Sequence, residues 1–219
     1  MSDARFDLVI FDKDGVLVDS EVHAQRITAA LISELGVPMT PADCEAQFLG
    51  ASLATIRAWI EARVAVPRDF EAVFHERLFH AFASGLTAVP GVADVLDGLR
   101  VPTCVASSGT HERIRMSLAA TGLLPRFEGR IFSAQDVTRG KPAPDLFLHA
   151  ARGCGVAPHR CAVIEDSRAG VDAANAAGMT AFGFARVTPA AALRHARGGV
   201  FTAMSELPAL LAGRARLRA

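Results

Sequence analysis

Five short apolar runs, at residues 6–11, 103–106, 130–133, 162–164 and 179–184, each give way to a turn and then to a segment of helical period. A run that is apolar throughout, rather than at alternate positions, fits a strand covered on both faces, and parallel strands joined by helical crossovers are built that way. An α/β fold is therefore expected, with a doubly wound parallel sheet to which residues 200–201 add one more short strand. The chain has 219 residues, of which 51% are apolar, enough for one sizeable core or a core with a smaller inserted unit.

One interval breaks the alternation. Between Ser20 and Leu86 no strand pattern occurs, only helical ones. Residues 21–35 carry Val22, Ile27, Leu31 and Leu35 with Gly36 as a stop. Thr40, followed by Pro41 and Asp43, reads as a helix start, Ser52 as the cap of a segment reaching Arg63, and residues 69–84 as a further helix ending at Gly85. The expected organisation is an α/β core of residues 1–19 and 87–219 with a helical domain of residues 20–86 inserted after the first strand. Trp59, Phe70, Phe74, Phe79 and Phe82 are expected to form the core of the insertion, and Val89-Pro90-Gly91 the hinge back.

Charge and cysteine content narrow the partners. Lys plus Arg and Asp plus Glu each number 23, so nothing in the balance points to nucleic acid or a membrane surface. A small molecule is the expected partner, bound by a monomer or weak homo-oligomer. Cys44, Cys104, Cys154 and Cys161 lack metal or disulfide spacing and read as reduced thiols. The opening MSDARFDLVIFD has no secretory apolar region, and no later run is long enough to span a bilayer, so a cytoplasmic location is expected. The basic segment 214–218 reads as a solvated tail.

In open parallel sheets the ligand lies at the carboxyl ends of the strands. There the chain supplies Asp12 and Asp14, Ser107 with Ser108, Lys141 in Gly140-Lys141-Pro142, and the pair Glu165-Asp166. Four carboxylates on one face repel one another unless a cation joins them, and oxygen donors suit Mg²⁺. With one acid protonated, a divalent ion and Lys141 would balance the other three. Each residue alone has a plainer reading, as a turn, a helix cap or a surface charge; their order at successive strand ends is what distinguishes them.

The stretches DKDGVLVDS (12–20), VASSG (105–109), GKPAPD (140–145) and VIEDSRAGVDAANAAGM (163–179) together resemble the haloacid dehalogenase-like hydrolases, in the subgroup with a helical cap after the first strand. The resemblance spans nearly the whole chain. It implies a Rossmann-like core, Asp12 as nucleophile, Asp14 as general acid and base, Ser107, Ser108 and Lys141 as phosphoryl binders, and a magnesium ion held by Asp12, the carbonyl of Asp14 and Asp166, with Glu165 at or just behind the metal. The substrate would be a small phosphorylated metabolite.

Asp14 argues against dehalogenation, in which no departing oxygen needs a proton. Within phosphoryl transfer, the resemblance to sugar-phosphate, phosphogluconate and phosphoglycolate phosphatases competes with one to β-phosphoglucomutase, which extends to His23, a residue expected on the leaving-group side. The mutase carries an arginine in a cap loop where this chain reads Gly50-Ala51-Ser52-Leu53. An apolar Leu53 in its place cannot grip a second phosphate, which favours hydrolysis. A receiver module, phosphorylated on a strand-end Asp but without enzyme activity, is the remote alternative; Asp14 and the insertion weigh against it. Lys13, between the two acids, is expected to turn its side chain away from both, as alternation along a strand requires.

Overall fold

The computed structural model describes residues 5–48, 51, 53–82 and 85–213, apart from the side chains of Glu21 and Phe82. The expected cap at Ser52 and the basic segment 214–218 lie outside the described residues.

In chain order, β1 (Leu8–Phe11) and β2 (Val18–Asp19) precede four helices, α1 (Glu21–Glu34), α2 (Pro41–Phe48), α3 (Leu53–Glu61) and α4 (Phe70–Phe82). Next come β3 (Thr87–Ala88), α5 (Val92–Gly98), β4 (Thr103–Ser107), α6 (His111–Ala120), α7 (Leu124–Phe127), β5 (Ile131–Ser133), α8 (Asp145–Gly153), β6 (Cys161–Glu165), α9 (Arg168–Ala176), β7 (Thr180–Phe184), β8 (Val200–Phe201) and α10 (Leu207–Leu211). Contacts divide the chain into two units, one comprising Met1–Asp19 with Thr87–Ala219 and the other Ser20–Leu86.

The first unit holds a six-stranded sheet in the order β5-β4-β1-β6-β7-β8, parallel throughout. The apolar runs end up where their composition requires. Every residue of β1, β4 and β6 is buried, and α8 and α9 cover one face with Leu146, Phe147, Ala150, Ala151, Val171, Ala173 and Ala174 against Leu8, Ile10, Cys104 and Val163. In α8 these positions recur at one-turn spacing, so a single stripe of the helix meets the strands. The chain winds outward from β1 through β4 to β5, then returns to the other side of β1 for β6, β7 and β8. That reversal opens a crevice at the carboxyl end of β1.

A second, two-stranded sheet was not expected from the sequence. Val18 pairs with Ala88 and Asp19 with Thr87, antiparallel. Two residues per strand give no periodic signal, and the pairing joins positions that are remote in the chain.

The second unit is helical throughout its described residues. Leu31, Ile32, Phe48, Ile56, Ile60, Phe70 and Phe74 form its core, with Trp59 packed against them. Phe48 meets Trp59 edge to face at 5.2 Å. Phe79, expected in this core, is instead only partly covered and lies edge-on to His80. The Thr40 helix start is as read: Asp43 N–H donates to Thr40 Oγ1 at 3.1 Å and Thr40 N–H to Asp43 Oδ2 at 3.0 Å. All four cysteines are free thiols, and no helix among the described residues is long and apolar enough to cross a membrane.

Candidate active site

Asp12 sits at the mouth of the crevice. Its N–H still donates to Ile164 O at 3.0 Å, so β1 keeps its register with β6 for one more residue before the chain turns. The turn is tied by Leu17 N–H and Val18 N–H, both donating to Lys13 O at 2.9 and 3.0 Å, and by Gly15 N–H to Val18 O at 2.9 Å. Gly15 has φ +74°, and a Cβ there would overlap the Asp166 carboxylate, so only glycine permits both the turn and the approach of that acid.

Lys141 is the hub of the site. Its buried ammonium group donates to Asp12 Oδ1 at 2.6 Å, Glu165 Oε1 at 2.6 Å and Ala106 O at 3.1 Å. Three protons meet three acceptors, one from the end of each of the three central strands β1, β4 and β6. The other Glu165 oxygen accepts from Ser167 N–H at 3.1 Å and Ser167 Oγ at 2.8 Å. Ser167 Oγ in turn caps α9 by accepting from Gly170 N–H at 3.0 Å. Glu165 is therefore fully enclosed, with both oxygens engaged.

Ser107 ends β4, buried, and its Oγ accepts from Gly109 N–H at 3.2 Å. Ser108 is exposed. Thr110 caps α6 immediately beyond, its Oγ1 accepting from Arg113 N–H at 3.3 Å. His23 lies on α1 in the helical unit, partly covered, and Leu53 begins α3 with its side chain packed on that unit's own core.

Lys13 corrects the sequence reading. Its side chain is buried, and Nζ lies 2.8 Å from Asp14 Oδ1. The expectation that it points away assumed strand alternation beyond Phe11; β1 ends there, and the turn folds residue 13 back onto its neighbour. The contact is an ion pair by distance but is not aligned as a directed hydrogen bond, since Asp14 Oδ1 accepts none among the described residues.

Electrostatics follow from crowding. Burial pushes the Asp12 carboxyl up to about 7, against the pull of Lys141 and with the help of Glu165 and Asp14. Burial, then the charges of Glu165, Asp12 and Asp14, raises Asp166 well above the carboxylate range. Burial alone would depress Lys141, but Asp12 and Glu165 outweigh it and raise it. Such a group of acids is short of positive charge. Asp12, Glu165 and Asp166 each offer a carboxylate oxygen within 4.8 Å of the others, a donor set that fits a hard divalent cation.

One charged residue near these strand ends escaped the sequence reading. Arg186, two residues beyond β7, donates from Nη2 to Asp19 Oδ1 at 2.6 Å. Its signal is its position just past the apolar run at 179–184, the same kind of strand-end place that marks Asp12, Ser107 and Glu165.

Four acids and a buried lysine gather at the crevice of a doubly wound sheet, and the relatives of this chain make it a phosphoric monoester hydrolase. The chain belongs to the haloacid dehalogenase-like hydrolases, whose family pattern matches residues 6–178. It is 31% identical over 210 residues to the 6-phosphogluconate phosphatase of Escherichia coli strain K12, covering 94% of this chain and 95% of that one. A haloacid dehalogenase-like protein of unknown function from Agrobacterium tumefaciens C58 superposes with a TM-score of 0.86 at 35% identity, over 96% of this chain and 100% of the other. A family hydrolase from Deinococcus radiodurans R1, solved with bound phosphate and sodium, gives 0.79 at 34% identity over 99% and 100%.

Proposed function

We propose that this phosphatase hydrolyses a small sugar phosphate or phosphorylated sugar acid, with Mg²⁺, through an aspartyl phosphate on Asp12. The observation that carries the reading is the Lys141 ammonium group bonded at once to Asp12, Glu165 and Ala106 O. It fixes the rotation of the Asp12 carboxylate at the crevice where the strand order reverses, and leaves a cation beside the point of attack.

Asp12 attacks phosphorus in line, the ester P–O bond breaks, and the departing oxygen takes a proton from Asp14. Asp14, now a carboxylate, removes a proton from water; the water oxygen attacks phosphorus, the acyl phosphate bond breaks, and Asp12 returns to its starting state with release of phosphate. Lys141, the Ser107 hydroxyl and backbone N–H groups around residues 13–14 and 108–109 hold the non-bridging oxygens. Asp12, Asp166 and the carbonyl of Asp14 would hold Mg²⁺, with Glu165 behind them orienting Lys141; the ion supplies the positive charge that lets a phosphate dianion approach a carboxylate. The helical unit Ser20–Leu86 is the cap in this reading, and His23 is the residue of that unit assigned to substrate binding. Similarity along nearly the full length to 6-phosphogluconate phosphatase supports the substrate class. Leu53, engaged in the core of its own unit, favours hydrolysis over transfer to a second sugar hydroxyl.

Phosphate release from p-nitrophenyl phosphate with Mg²⁺, followed by a panel including 6-phosphogluconate, phosphoglycolate and glucose 1-phosphate, tests this reading. Chelation and Asp12→Asn should each abolish turnover, and a sugar phosphate or sugar-acid phosphate should give the highest kcat/KM. Turnover that survives Asp12→Asn removes the nucleophile. Conversion of glucose 1-phosphate to the 6-phosphate faster than phosphate is released identifies a mutase instead.

A further inference from the structure

We propose that Lys13 is a positioning residue for Asp14: its buried ammonium group anchors one oxygen of that carboxylate so that the other is presented to the leaving-group oxygen of the substrate. The proposal rests on the reading of Asp14 as proton donor.

The geometry divides the two Asp14 oxygens. The side chain is 47% exposed, yet Oδ1 is buried and accepts no directed hydrogen bond among the described residues. Exposure therefore belongs to the Oδ2 side. The group that faces Oδ1 is Lys13 Nζ at 2.8 Å, on a side chain only 3% exposed. At that separation, with Lys13 enclosed, neither side chain can turn without moving the other, so the two constrain each other. Their backbones are fixed as well. Lys13 O accepts from Leu17 and Val18, and Asp14 forms an isolated bridge with Val18. A proton donor held at both its backbone and its far oxygen has one remaining direction, and displacements of about 1 Å in such groups cost on the order of a hundredfold in rate. In this scheme Lys13 acts through Asp14.

A positioning role predicts a dependence on the leaving group that a merely structural role does not. p-Nitrophenolate departs as the anion and needs little protonation, whereas phenolate needs much more. The full-length protein with Mg²⁺ is assayed on p-nitrophenyl phosphate and phenyl phosphate as wild type, Lys13→Met, Lys13→Arg and Asp14→Ala. The readout is kcat/KM, which covers the steps up to aspartyl phosphate formation. Lys13→Met should lose roughly tenfold or more on phenyl phosphate and less than about threefold on p-nitrophenyl phosphate, and Lys13→Arg should recover most of the difference. Equal losses on both substrates, or none, overturn the proposal. If Asp14→Ala shows the steep dependence and Lys13→Met does not, Lys13 fails alone; if Asp14→Ala shows none, the proton-donor reading fails and takes the proposal with it. Circular dichroism checks each fold, and should Lys13→Met not fold, Lys13→Gln, which keeps an N–H donor but no charge, goes through the same series under the same criteria.

Discussion

Gly170 lacks a side chain because the Glu165 carboxylate lies where one would begin; a Cβ at residue 170 would overlap that group. The same carboxylate holds Lys141, so the helix start and the buried lysine of the site share one acid. Gly170→Ala should displace Glu165, lower stability by about 1–3 kcal/mol as overpacking does, and reduce turnover through the loosened lysine. Urea denaturation and p-nitrophenyl phosphate hydrolysis check the two effects, and a variant with unchanged turnover would detach Glu165 from the chemistry. At this scale the sequence was legible where a charged residue stands at a strand end: Lys141 meets Asp12 and Glu165, and Asp166 gathers with those two acids. Lys13 was misread because its direction depends on where β1 stops, and an apolar run gives that only to within a residue or two.

The segment after β5 shows how an element end is secured. Ser133 Oγ accepts from Gln135 N–H at 3.1 Å and donates to Gly109 O at 2.6 Å, while Asp136 Oδ2 accepts from Ser133 N–H at 2.9 Å and Oδ1 meets His111 Nε2 at 2.8 Å. Two strand ends and the first turn of α6 are thereby tied together behind Ser107. Burial pushes the Asp136 carboxyl up, but the Ser133 N–H and His111 outweigh it and hold it below the usual range. Its folded value is depressed, so the unfolded chain binds the proton more readily: the stabilisation is complete above the ordinary value of 3.8 and fades as pH falls through the lower folded value. Asp136→Asn should therefore cost about 1 kcal/mol near neutral pH, and the gap from wild type should close as the pH falls below about 4. A gap independent of pH would show that the amide's shape matters and the charge does not. The long strands and helices were readable because each carries a period or an unbroken apolar run. The β2–β3 ribbon carries neither and exists only through contact between distant residues.

Taken whole, the molecule is one α/β unit interrupted once, and the interruption enters and leaves through that ribbon. Asp19 stands opposite Thr87, so the two chain ends that flank residues 20–86 are already placed as a hairpin would place them. Replacing residues 20–86 by Asn-Gly, the pair favoured in two-residue hairpins, should leave a cooperative, folded α/β protein by circular dichroism and thermal melting; a molten product would mean that the core depends on its insert. Arg186, bonded to Asp19 at 2.6 Å, pins the same ribbon to the segment after β7. Holding the ends of a long excursion side by side has an entropic consequence for the chain's history. Closure cost grows only slowly with the length of an excursion, by roughly 0.6 kcal/mol per doubling, and here the core fixes the closure point. Inserts of different size and shape could thus be exchanged at this port with little effect on the stability of the core, which makes the ribbon the place where this chain best tolerates a change of insert.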